Sequence, residues 1–111
     1  MPDVIAERRA APRYALIVVA DIIELGSGAR LTARTSDVSR TGCYVDTLNP
    51  IPKGTSVRIV LSKGEEHFEV SAKIVYVSPG LGMGVHFDSP VPATQLAILD
   101  RWLQFAAHTA L

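Results

Sequence analysis

Between Phe68 and Tyr76 the side chains take turns. Phe68, Val70, Ala72, Ile74 and Tyr76 fall on one side, and Glu69, Ser71 and Lys73 fall on the other. A period of two is the mark of a half-buried β-strand, because successive side chains point to opposite faces of the pleat. The pattern has company. Ser56 to Ser62 alternates with Val57, Ile59 and Leu61 on one face, and Met83, Val85 and Phe87 alternate in a later run. Lys63-Gly64 and Pro79-Gly80 read as the tight turns between these runs. Connections that short leave no room for a crossover helix, so the strands must be antiparallel neighbours.

The first half of the chain follows the same grammar. Tyr14 to Leu25 is rich in β-branched and aliphatic residues and reads as one long first strand, with Gly26-Ser27-Gly28 as the turn after it. Arg30 to Asp37 is the returning strand, and Gly42 separates it from a short one, Cys43 to Asp46. Asn49 to Gly54 is a loop, since Pro50 and Pro52 cannot serve a central ladder. Ser89-Pro90-Val91-Pro92 stops the strands, and a helix is predicted over 93–108. There Leu96, Leu99, Leu103 and Ala106 recur at helical spacing, and Trp102 widens the stripe. The expectation is a mainly β fold: about six antiparallel strands as a sheet or barrel, with a C-terminal helix over an open end or a face.

Composition narrows the function. A chain of 111 residues with 48% hydrophobic content supports one domain with a modest core. Eleven basic residues against 11 acidic ones leave no net charge, which argues against a nucleic-acid polymer as partner. The single cysteine, Cys43, excludes an intrachain disulfide and a cysteine zinc site, and reads as a small buried apolar residue. His67, His86 and His108 are scattered, so no metal site is expected. Asp37 and Ser39 have no histidine beside them and no glycine-rich phosphate loop precedes the helix, so no catalytic residues are assigned and the protein is not expected to be an enzyme. No apolar run reaches transmembrane length and Met1 to Ile5 lacks the start of a signal peptide, so no membrane insertion and a cytoplasmic location are expected.

Two short motifs carry the chemistry. Arg9-Ala10-Ala11-Pro12-Arg13, preceded by Arg8, places guanidinium groups on a segment held extended by Pro12. Asp37-Val38-Ser39-Arg40-Thr41-Gly42 places a carboxylate, a hydroxyl and a glycine at the junction of two strands. Terminal arginines are ordinarily solvated charges, and Asp-x-Ser before a glycine is ordinarily a turn with local hydrogen bonds. Brought together, the motifs suit a ligand with anionic oxygens and flat hydrogen-bonding rings, because arginine both forks phosphates and stacks on rings.

RxxxR followed by DxSxxG resembles the signature of the PilZ domain family, here as a stand-alone single-domain member. Gly84-Val85-His86-Phe87 resembles that family's last strand. The resemblance implies a six-stranded antiparallel β-barrel with a C-terminal helix and the second messenger cyclic di-GMP, a ligand and not a cofactor, on its outer surface. It implies Arg8, Arg9, Arg13, Asp37, Ser39 and Gly42 as ligand-binding residues. Arg9 and Arg13 would neutralise phosphates or fork guanine O6 and N7. Asp37 would accept from a guanine N–H or hold an arginine in place. Ser39 would bond a phosphate oxygen or a guanine edge, and Gly42 would let the backbone turn or approach the ligand. Arg40 stands open between ligand contact and solvent. In that family an arginine at the place of Arg8 goes with an intercalated ligand dimer, so one or two ligands per chain are implied.

The expected organisation is a flexible N-terminal segment, 1–12, carrying the first motif arginines, and a barrel with its helix, 13–111. Occupancy would order the N-terminal segment and be relayed to a protein effector in trans. The oligomeric state and the downstream output are not legible. Two alternatives stand beside this reading: a PilZ-fold interaction module that binds no nucleotide, and a small barrel for RNA or single-stranded DNA, which the neutral charge disfavours.

Overall fold

The computed structural model describes residues 11–109. Among them the strands are β1 (Tyr14–Ala15), β2 (Val19–Glu24), β3 (Arg30–Val38), β4 (Gly42–Asp46), β5 (Ser56–Lys63), β6 (Glu66–Ser78) and β7 (Gly82–Phe87), followed by α1 (Ala93–Thr109). All pairings are antiparallel. The order β3-β2-β5-β6-β7-β4 returns to β3, so six strands close into a barrel, and β1 adds to β3 outside the circuit. Closure removes the free edges that an open sheet of this size would leave.

The alternating runs supply the barrel interior. Ile22, Ile59, Leu61, Phe68, Ile74 and Phe87 are sealed from solvent, with the rings of Phe68 and Phe87 tilted against each other at 5.1 Å. Cys43 is also fully buried, as its small apolar character implies. Lys63 pairs with Glu66 across a two-residue loop whose first residue, Gly64, has φ +61°. That is where a hairpin of this length asks for a residue without Cβ. The helix lays Leu99, Trp102, Leu103 and Ala106 onto the barrel, against β6 and β1. Glu66 at the start of β6 anchors it: Trp102 Nε1 donates to Oε1 at 3.0 Å and Arg101 donates to Oε2.

Two readings from the sequence need correction. The long first strand is interrupted at residues 16–18, splitting it into β1 and β2. The gap is bridged by a buried side chain: Thr35 Oγ1 accepts from Val18 N at 3.0 Å and donates to Leu16 O at 2.7 Å. Leu16 and Val18 stay buried while Ile17 is exposed, so the alternation runs through the break and hides it. The second correction is Tyr76, which does not share the buried face of Ile74. The ladder slips between Ile74 and Tyr76, leaving Val75 as an extra residue. A bulge of one residue reverses the facing of everything after it. Val77 accordingly packs on the core and Tyr76 points outward, 40% exposed.

Candidate functional site

The two motifs meet because β1 pairs with the far end of β3, with Tyr14 opposite Val38 and Ala15 opposite Asp37. Arg13, one residue before β1, is thereby set beside the turn that follows β3. A second bulge, between Thr35 and Asp37, turns Val38 inward and Asp37 outward, opposite Tyr44. Arg13 Nε then lies 3.6 Å from Asp37 Oδ1, an ion pair too long to be a hydrogen bond. That oxygen is buried and has no hydrogen-bond partner among the described residues. The nearby Tyr76 hydroxyl and, after it, the charge of Asp37 raise the guanidinium pKa against the opposing effect of partial burial.

Ser39 builds the turn. Its Oγ accepts from Thr41 N at 3.2 Å and Gly42 N at 3.1 Å, while its own N donates to Gly42 O at 2.8 Å. Gly42 is required by proximity and not by backbone conformation, since its φ is outside the left-handed region. A Cβ there would sit 2.2 Å from the carbonyl oxygen of Val85 on β7. Gly84 has a matching role beneath Tyr76, where a Cβ would meet the ring at 2.1 Å. Gly82 does the same beneath Tyr44, at 2.7 Å from its ring. The two tyrosines therefore lie close to the bare backbone of β7, their ring centres 6.1 Å apart.

A cavity of about 490 Å³ opens at this junction, lined among others by Arg13, Ser39, Gly42, Tyr76, Gly84 and His86. It offers a cation, flat aromatic surface and backbone polar groups together, the needs of a ligand with anionic and planar parts. Arg13, Ser39 and Gly42 are thus brought to one cavity, and Asp37 stands behind Arg13. Arg8 and Arg9 lie outside the described residues. Arg40 turns away toward the helix, where its Nε and Nη2 donate to Asp100 at 2.8 and 3.3 Å. Tyr44, Tyr76 and His86 were not singled out as site residues from the sequence. One signal for the tyrosines existed: Gly82 and Gly84 alternate with core residues on β7, leaving the outer side of the strand bare ahead of His86, where a ring can lie.

Among curated proteins none matches the sequence. Solved structures do share the architecture, each at 18% identity. The PilZ domain of CeSA from a cellulose-synthesising bacterium superposes with a TM-score of 0.66, covering 85% of this chain and 97% of that one. The Bacillus subtilis inhibitor of motility MotI/DgrA gives 0.71, covering 93% of this chain and 51% of that one. The PilZ domain of Escherichia coli YcgR, solved with c-di-GMP, gives 0.75, with 93% and 94% covered. At this identity the likeness is one of fold. The sequence itself matches the PilZ domain over residues 7–105, a span that takes in both motifs and the first three-quarters of α1, and the chain therefore belongs to the PilZ domain family.

Proposed function

We propose that this protein is a cytoplasmic receptor that binds cyclic di-GMP in the cavity beside β1 and the Ser39–Gly42 turn. The observation that carries the reading is Asp37 Oδ1, an acceptor shut away from water with no donor bonded to it, next to a guanidinium that lines an open cavity. A buried acceptor left in that state costs on the order of 1–3 kcal/mol. A guanine edge carries N–H donors beside the O6 and N7 acceptors that arginine forks, so Arg13 turning to the ligand opens the Asp37 carboxylate to those donors. Tyr76 adds a face for a base to lie against. Ser39 acts through the turn it holds, and Gly42 keeps the floor of the cavity free. The YcgR domain, solved with c-di-GMP on the same fold, supports the choice of ligand.

Arg9 is assigned to the phosphates with Arg13, and Arg8 to a second ligand molecule where two bind as an intercalated pair. Residues 1–12 fold over the ligand, and their placement is what a protein effector in trans reads. The likeness to an inhibitor of motility supports a protein partner as the output. Calorimetric titration with cyclic di-GMP, with GTP and an oligonucleotide as controls, tests the reading. Saturable binding of the cyclic dinucleotide alone is expected. Absence of binding would leave the interaction module without nucleotide as the better description. Arg8→Leu is expected to lower the bound ratio from two toward one. Amide exchange on residues 4–15 is expected to slow on ligand addition.

A further inference from the structure

The turn that shapes the cavity is tied to the helix by the side chain of Arg40. Arg40, between Ser39 and Thr41, reaches across to α1 and takes both carboxylate oxygens of Asp100. The pair is open to water, its side chains 55% and 40% exposed, so it is held weakly and exchanges readily for a stronger anion. Such an anion has a route. A second cavity of about 480 Å³, on the side of the turn facing α1, is lined by Arg40 and Leu96, and it shares Thr41 and His86 with the site cavity. There is also slack on the other side of the pair. A hollow of about 250 Å³, lined by Pro12, Tyr14, Arg40, Asp100, Leu103 and Gln104, separates the arginine segment from the helix. Pro12 borders both that hollow and the site cavity.

We propose that Arg40 exchanges its partner, leaving Asp100 for a phosphate of the bound cyclic dinucleotide, and that this exchange unties the Asp100 turn of α1, which stays docked on the barrel, as a second reporter of occupancy. The inference rests on the ligand reading above and adds its regulation. Asp100 is then a competitor: it holds Arg40 in the empty protein and must be displaced when the ligand arrives. Removing its charge frees Arg40 in advance, so Asp100→Asn should bind cyclic di-GMP more tightly, by roughly two- to fivefold for a pair this exposed.

The test is calorimetry with cyclic di-GMP on the full chain, its Asp100→Asn variant and its Arg40→Gln variant, with amide exchange followed over 93–109. Expected are tighter binding in Asp100→Asn, weaker binding in Arg40→Gln, and faster helix exchange on ligand addition in the unaltered protein. In Asp100→Asn the fast exchange is expected before ligand is added. A protein that binds cyclic di-GMP with equal affinity in both the unaltered and Asp100→Asn forms, or whose helix exchange ignores the ligand, overturns the exchange of partners and leaves the receptor reading intact. A protein that binds no cyclic di-GMP at all overturns both.

Discussion

At Gly42 one hydrogen atom decides the geometry. The sequence suggests a glycine kept for a backbone turn or for approach to the ligand, and the structure adds a different cause, closeness to the neighbouring strand, because the Val85 carbonyl oxygen stands 2.2 Å from where a Cβ would be. Strand β4 cannot keep its register beside β7 with any side chain at that point. Gly42→Val should therefore destabilise the fold by at least ~1–3 kcal/mol, the usual cost of overfilling a packed site, and should lower affinity for cyclic di-GMP as the turn shifts. A melting curve together with a titration checks both. Unchanged stability with unchanged binding would make the glycine incidental. The same residue-scale logic explains why Ser39 and Gly42 go together: the serine hydroxyl collects the amides of a turn that the glycine lets close.

Elements are legible where periodicity is the cause and obscure where a single extra residue is. The run from Phe68 to Ile74 announces β6, and the leucines of the last segment announce α1, because burial on one face leaves its period in the sequence. Bulges leave none until the next apolar residue changes parity, so Val75 conceals the outward turn of Tyr76, and Ser36 conceals that of Asp37. The motif residues themselves stand out in the sequence. Their meeting does not, since it depends on β1 breaking from β2 and pairing with β3. Thr35 is the residue that makes the break possible. Thr35→Val keeps the shape but strips Val18 N of its acceptor and Leu16 O of its donor, and should cost about 1–3 kcal/mol in urea unfolding. The helix has an analogous anchor in Glu66, whose hydrogen bonds from Trp102 first and Arg101 second hold its carboxyl below the ordinary carboxylate range. A lowered folded-state pKa means the contribution is present above the unfolded value, about 4.3, and is lost as pH falls through the folded one. Melting temperatures from pH 7 to 3 should fall more gently below pH 5 in Glu66→Gln than in the unaltered chain.

Across the whole molecule the barrel is closed by backbone pairing on every strand, and its one interior core runs from β2 to α1. Such a domain should unfold as a unit, so anything that binds only the folded form raises the midpoint of the entire transition. Cyclic di-GMP at about a hundred times its Kd should add ~2.7 kcal/mol. At roughly 2–8 °C per kcal/mol for domains near this size, the shift is on the order of 10 °C. GTP at equal concentration should give none. Arg13→Ala separates ligand from fold in the same experiment. Arg13 is exposed, outside the core, and paired to Asp37 at a length that screens readily, so the unliganded midpoint should barely move. The ligand-induced shift should shrink, because a lost charge-assisted contact weakens affinity by about 1.5–3 kcal/mol, tenfold to more than a hundredfold. A variant that keeps the full shift would place the anion elsewhere on the barrel. One that loses stability without ligand would make Arg13 a structural residue, holding β1 to the turn through Asp37 and Tyr76.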